Sequence, residues 1–249
     1  MLTTQPFLGS DHGGNRSIIG NKNFSAAGSS TRDLDWDDDK TLRIRGYAVD
    51  SILVTTDKTR KVGDINSNLG FISETNKRLL KEKLALERCD KLIAEILGPA
   101  TSDHHEEHLW RSLCCDLTAT GERAPSKYSE AFKFWRSVFR ATNDQGQIQT
   151  FLLDQQILES RDFEYAMRKY TLGTSFCITK SGRLARVPHK SRPGDRICIF
   201  RGGRVPFVIR DAEKGYFQLV GECYVQGIMD GEAMGRDDLM DLEQYFLIQ

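Results

Sequence analysis

The densest set of metal-binding side chains in the sequence is His104-His-Glu-Glu-His108. His104 and His108 stand four apart, on one face of a helix, a spacing that can grip zinc. The zinc-protease pattern places Glu directly after the first His, whereas position 105 is His, and no third ligand is evident. The apolar stripe of the surrounding helix starts only at Leu109, so the cluster reads as a solvated first turn. No metal or other cofactor is expected. Cys114-Cys115 could form a reactive vicinal pair, but Cys114 falls on the stripe with Trp110 and Leu113, and buried, inert thiols are expected. Asp230-Gly-Glu232 could present two carboxylates to a cation. With no second pair to place opposite it, ordinary turn chemistry is the expectation. There is no G-x-S-x-G, no phosphate-binding loop and no G-x-G-x-x-G, and His189 lies alone in the Pro188–Pro193 loop. No enzyme is expected.

Charge carries more information. The totals balance at 35 Lys+Arg against 35 Asp+Glu, which leaves no global field toward nucleic acid or membrane. The distribution is uneven. Phe176 to Arg210 holds nine Lys/Arg and one acid, and Asp211 to Gln249 holds nine acids and two bases. Arg183, Arg186, Lys190 and Arg192 are the candidate contacts for a protein partner or for a nucleic-acid backbone. Phe200 and Phe207 lie inside apolar runs, so the stacking rows of single-strand binders are missing. Neutralisation across adjoining strands is the preferred expectation. The N-terminus lacks a basic segment followed by an apolar one, no apolar run approaches the ~20 residues of a membrane span, and the six cysteines are scattered. A cytoplasmic protein that does not enter membranes is expected.

The elements that would position these residues follow from periodicity. Residues 1–31, rich in Gly, Ser and Asn, predict a flexible arm tethered by Phe24, and Asp33–Asp39 an acidic turn. Alternation over Thr41–Asp50 predicts a half-buried strand, continued by Ile52–Val54, within a strand region 32–72. A helical subdomain spans 73–173. Its first helix (73–97) has Leu80, Leu84, Ala85, Cys89, Leu92, Ile93 and Ile96 inward, and its second, from Asp103, runs past Leu113 to Leu117. Two more follow at about 127–141 and 146–170. From Thr174 to 249 the period becomes two, and five or six short strands predict a small antiparallel barrel that the early strand joins. The hairpin at Gly202-Gly203 should pair Cys198 with Phe207 and Asp195 with Arg210. Pro206 forces a wide turn or a bulge there. The Asp195–Arg210 ion pair is expected at the surface, worth ~0–1 kcal/mol. The fold class is α+β, a helical subdomain inserted into a small antiparallel β-barrel.

Two segments carry a family resemblance: Arg192-Pro-Gly-Asp-Arg-Ile-Cys-Ile-Phe-Arg-Gly-Gly-Arg-Val-Pro-Phe-Val-Ile-Arg210 and Leu219-Val-Gly-Glu-Cys-Tyr-Val-Gln-Gly-Ile-Met-Asp-Gly-Glu232. With Phe24–Gly28, Leu42–Asp50, Leu109–Leu113 and Thr179–Gly182, they resemble the C-terminal region of fungal heterokaryon-incompatibility (HET-domain) proteins. The resemblance implies a helical insertion plus a barrel. It also implies a part in non-self recognition between fusing hyphae and the cell death that follows. The hallmark segments of the HET domain itself are missing, so its activity is not carried over, and Gln226 stands where relatives often have His. The expected function is a non-catalytic recognition or regulatory module with a protein partner. A nucleic-acid-binding barrel is the alternative.

Overall fold

The computed structural model describes residues 18, 21–36, 41–56, 74–98, 103–143 and 154–249. Among these are nine strands and four helices. In chain order they are β1 (Leu34–Trp36), β2 (Leu42–Thr55), α1 (Glu74–Leu97), α2 (Asp103–Leu113), α3 (Tyr128–Arg140) and α4 (Asp154–Thr171). β3 (Thr174–Thr179), β4 (Leu184–Pro188), β5 (Arg196–Phe200), β6 (Phe207–Asp211), β7 (Phe217–Glu222), β8 (Tyr224–Val225) and β9 (Glu243–Ile248) follow. The class is α+β.

β2 organises the molecule because it has three successive partners. Leu42–Tyr47 pair with β9, Gly46–Ser51 with β5, and Ile52–Thr55 with β3. Between β9 and β5 the chain continues through β6 and β7, so β2–β5–β6–β7–β9 closes into a ring. The pairing is antiparallel throughout except at the β7–β9 seam, where Phe217 meets Ile248 in parallel. Closure removes the open edges that an isolated sheet would expose. It also demands close approach at Gly46, where a Cβ would stand 2.6 Å from the Ile199 carbonyl oxygen.

Alternation sends Ile44, Cys198, Phe200, Ile209 and Phe246 into the barrel, with Phe217 and Leu219 packed beside them. Phe246 meets Phe200 at 5.7 Å and Phe217 at 5.3 Å between ring centres, edge to face. The opposite faces of the same strands, through Tyr47, Val49, Ile197, Ile199 and Val208, pack on a second layer. That layer is β3, β4 and β8, a small sheet growing from the last residues of β2. It is covered on both sides, Cys177, Ala185 and Val187 facing the barrel and Phe176, Ile178 and Leu184 the helices. A strand buried on both faces loses the polar alternation that marks a half-exposed one.

The helices are inserted between the neighbours β2 and β3. α3 supplies the stripe expected of it, Tyr128, Phe132, Trp135 and Phe139, all buried. Phe163 of α4 sits among these rings, 5.6 Å from Tyr128 and 5.7 Å from Phe132. In α1 the inward seam differs from expectation. Leu86 is buried, Ala85 is exposed and Ile96 is 41% exposed. The helix offers more apolar positions than one contact face accepts, and exposing a methyl group costs little. α4 starts at Asp154, and the expected turns at 146–153 lie outside the described residues.

Two further differences concern the N-terminal third. Leu34–Trp36, expected in an acidic turn, form β1 against Leu42–Ile44. Phe24 is the expected tether, fully buried, but the packing extends to Ala26 and Ala27. Their backbone N–H groups donate to Arg204 and Gly203 carbonyls at 3.0 and 3.1 Å. The Gly202-Gly203 hairpin has the expected register, Cys198↔Phe207 and Ile197↔Val208, and its ladder stops before Pro206. The turn is the wide form. Gly203 N–H donates to the Phe200 carbonyl, and the Pro206 carbonyl accepts from Cys223. Arg210 grips Asp195 with two hydrogen bonds of 2.8 Å, as the register requires. The pair is not the exposed one expected, because the Asp195 side chain is only 3% exposed and also accepts from the Arg192 N–H at 2.8 Å.

Candidate functional site

The sequence-derived candidates do not converge. His108 is half-buried in α2, and the side chain of His104 lies outside the described residues. The acids between them are committed, Glu106 to Arg136 at 3.5 Å and Glu107 to Arg111 at 2.8 Å. Among the described residues no three His, Cys, Asp or Glu side chains come together as a metal ion would require.

Four of the nine bases in the basic stretch are neutralised. Arg183 pairs with Asp50 at 3.7 Å, Arg196 with Asp211 at 2.9 Å, Arg201 with Glu243 at 3.5 Å, and Arg210 with Asp195. Lys190 and Arg192 remain exposed in the loop after β4. Arg186 must be taken off the candidate surface, since it is 6% exposed. β4 is sandwiched between helices and barrel, so an arginine on it points inward. It donates to Thr174 Oγ1 at 2.7 Å and to the Thr171 carbonyl at 3.1 Å. That carbonyl belongs to the last turn of α4, where a helix carries partial negative charge. Burial pulls the Arg186 pKa down from its ordinary value.

A different cluster is brought together where helices, N-terminal segment and barrel meet. α2 stops at Leu113, short of the predicted Leu117, because Cys115 and Asp116 turn into the left-handed region at φ +53° and +52°. Neither is glycine, so the turn is strained by ~1–3 kcal/mol per residue and persists only where its surroundings fix it. The fixing is electrostatic. Asp116, 8% exposed, lies between Arg111 and Arg123, and Arg123 contacts its Oδ2 at 2.5 Å. Arg123 reaches on to Asp230, donates to the Asn23 carbonyl at 3.0 Å and covers the Phe24 ring at 4.5 Å. Asp230 N–H donates to Glu232 at 2.7 Å. Burial raises the Asp230 pKa, against the opposing pull of Arg123. Of the two carboxylates of Asp230-Gly-Glu232, Asp230 thus ends an alternating chain, Glu107–Arg111–Asp116–Arg123–Asp230, which fastens the end of α2 to the loop after β8.

The turn also settles the vicinal thiols. Cys114 joins the helical core and Cys115 a cluster with Phe24, Leu117, Tyr170 and Tyr224. Burial pushes the Cys115 thiol up to about 12. Asp116 and Arg123 had no sequence signal beyond an Arg111–Glu107 pair four apart: the turn that brings Asp116 to Arg123 has no glycine at its positive-φ residues, and the further partner Asp230 lies 107 residues on.

Residues 126–248, from just before α3 to the end of β9, match the family model of the Het-6 beta-barrel domain. The chain is 25% identical over 240 residues to the Neurospora crassa protein "Heterokaryon incompatibility protein 6, OR allele". The alignment covers 83% of this chain and 34% of that protein, so the chain spans about a third of its relative. No solved structure matches. Among the described residues no helix is long and apolar enough to cross a membrane. The resemblance to the C-terminal region of fungal heterokaryon-incompatibility proteins is thus shown, carried over residues 126–248 by the Het-6 beta-barrel domain.

Proposed function

We propose that this chain is a non-catalytic recognition or regulatory module in heterokaryon incompatibility, with protein as its partner. The carrying observation is the similarity to Heterokaryon incompatibility protein 6 across the helices and the barrel together. Two features of the geometry support it. The inserted helices and the barrel are fastened by the Asp116–Arg123–Asp230 chain, which suits a scaffold that presents a fixed surface. All six thiols are buried, so none is held as an ionised nucleophile.

The test is to express the chain in one of two otherwise matched, fusion-competent fungal strains and pair each with partners of different genotype. Vital-dye uptake then counts dying fused cells. The proposal expects the chain to change that fraction with some partner genotypes and not with others. An unchanged fraction with every partner contradicts it. The nucleic-acid alternative is checked by fluorescence anisotropy with single-stranded and duplex oligonucleotides at ~50 and ~200 mM salt. With four of its nine bases ion-paired and Arg186 buried, the stretch is expected not to bind at the lower salt.

A further inference from the structure

The loop after β4, residues 189–194, lies on the surface, yet its backbone is pinned at both ends and in the middle. His189 N–H donates to the Gly173 carbonyl at 3.0 Å, and Ser191 N–H to the Pro188 carbonyl at 2.9 Å. The Lys190 carbonyl accepts from Arg210 Nη2 at 2.8 Å, and Arg192 N–H donates to Asp195 Oδ2 at 2.8 Å. Gly194 N–H closes the series on the Ile52 carbonyl of β2 at 2.9 Å. Surface loops are ordinarily the mobile parts of a fold. This one holds its side chains in fixed places.

Two of those side chains are cations without a counter-charge. Lys190 and Arg192 are exposed, and among the described residues neither has an ion-pair partner. The one acid between Phe176 and Arg210 is Asp195, which is buried and taken by Arg210. Apolar side chains stand exposed at both ends of the loop. Leu172, 55% exposed, adjoins the Gly173 carbonyl that holds His189, and Leu53, 41% exposed, adjoins the Ile52 carbonyl that holds Gly194. The surface therefore runs from an apolar end through two positive charges to a second apolar end.

We propose that this loop docks an acidic, extended segment of a partner protein. The carboxylates of that segment pair with Lys190 and Arg192, and apolar side chains on either side of them cover Leu172 and Leu53. The proposal rests on the recognition reading and gives its partner a chemistry. Complementary charge selects the partner and speeds the encounter, and a pinned loop has little freedom to lose on binding. Two other classes of partner fit less well. Anionic membrane surfaces are held by clusters of about four to eight basic residues, and this loop has two. Single-stranded nucleic acid calls for rings on which bases stack, and the loop contains no Phe, Tyr or Trp. Six residues reach at most about 20 Å, which an extended peptide of equal length can follow.

The experiment is fluorescence anisotropy of the whole chain with a labelled peptide that carries a run of carboxylates between two leucines. The comparison probes are the same peptide with lysines in place of the acids, phosphatidylserine vesicles and a single-stranded oligonucleotide. The parent should bind the acidic peptide with a dissociation constant on the order of 100 μM at ~50 mM salt. The lysine peptide should bind at least about tenfold more weakly, which tests the charge without altering the protein. Lys190→Glu/Arg192→Glu should weaken the acidic peptide at least about tenfold, and Leu53→Ser or Leu172→Ser at least about threefold. Each altered side chain is exposed, so the thermal midpoint should stay that of the parent. No binding by the parent, equal binding of the lysine peptide, or a complex that survives Lys190→Glu/Arg192→Glu would overturn the proposal. So would vesicles or oligonucleotide bound more tightly than the peptide, or self-association of the chain that the double variant abolishes. Peptide binding is read without fused cells. Genotype-dependent death without peptide binding would remove this surface and leave the recognition reading in place.

Discussion

At the scale of single residues, burial decides what the polar and reactive side chains can do. Cys89, Cys115 and Cys177 are pushed up to about 12 by desolvation, and Cys114, Cys198 and Cys223 are raised as well. An unfolded thiol ionises near ~8.5, so the folded value lies above the unfolded one. The stability carried by these neutral thiols is therefore complete below about pH 8.5 and is lost as the pH rises toward 12. We expect no thiol to react quickly with an aromatic disulfide reagent at about pH 8 in the native protein, and all six to react in denaturant. Unfolding on alkaline titration should set in above ~9. A fast-reacting thiol in the native state would contradict this. The burial of Cys114 was legible because it falls on the apolar stripe with Trp110 and Leu113. The position of Arg186 was not. A charge alternating with apolar residues reads as a solvent-facing position, and only the second covering layer turns it inward.

At the scale of elements, period and punctuation located most helices and strands, whereas partners and endings depended on contacts distant in sequence. The hairpin of β5 and β6 was readable down to its register, since Gly202-Gly203 fixes the pairing and Pro206 forbids one rung. The end of α2 was not readable, because Cys115 and Asp116 adopt positive φ without the glycine that usually signals it. Nor was the triple use of β2, whose bulges at Ala48/Asp50 and Ile52/Val54 let one strand serve barrel and second layer. The closest approach in that arrangement gives a sharp prediction. A methyl at position 46 would stand 2.6 Å from a backbone oxygen of β5, which cannot step aside as a side chain would. Gly46→Ala should lower stability by about 1–3 kcal/mol. In urea unfolding this appears as a lower midpoint with an unchanged slope. An unchanged midpoint would mean that β2 and β5 are not held so closely.

At the scale of the whole molecule, the sequence showed a helical subdomain inserted into the barrel but not what pins the insertion in place. The helices were assigned their own span, 73–173, from a change of period. The structure runs them out of β2 and back into β3, two strands that pair with each other, so both ends of the insertion are held in one sheet. Helical side chains then cover the outer face of β3 and β4, and the charge chain through Asp116 and Arg123 reaches the loop at Asp230. The site was hidden in the sequence for the same reason, since Arg123 and Asp230 lie 107 residues apart. If this joint makes helices and barrel one rigid scaffold, the two should unfold together. Hydrogen exchange of α3 and β5 amides across a urea series measures this directly, because each segment reports its own opening. The account predicts a single midpoint shared by α3 and β5. Opening of α3 at distinctly lower urea than β5 would contradict it.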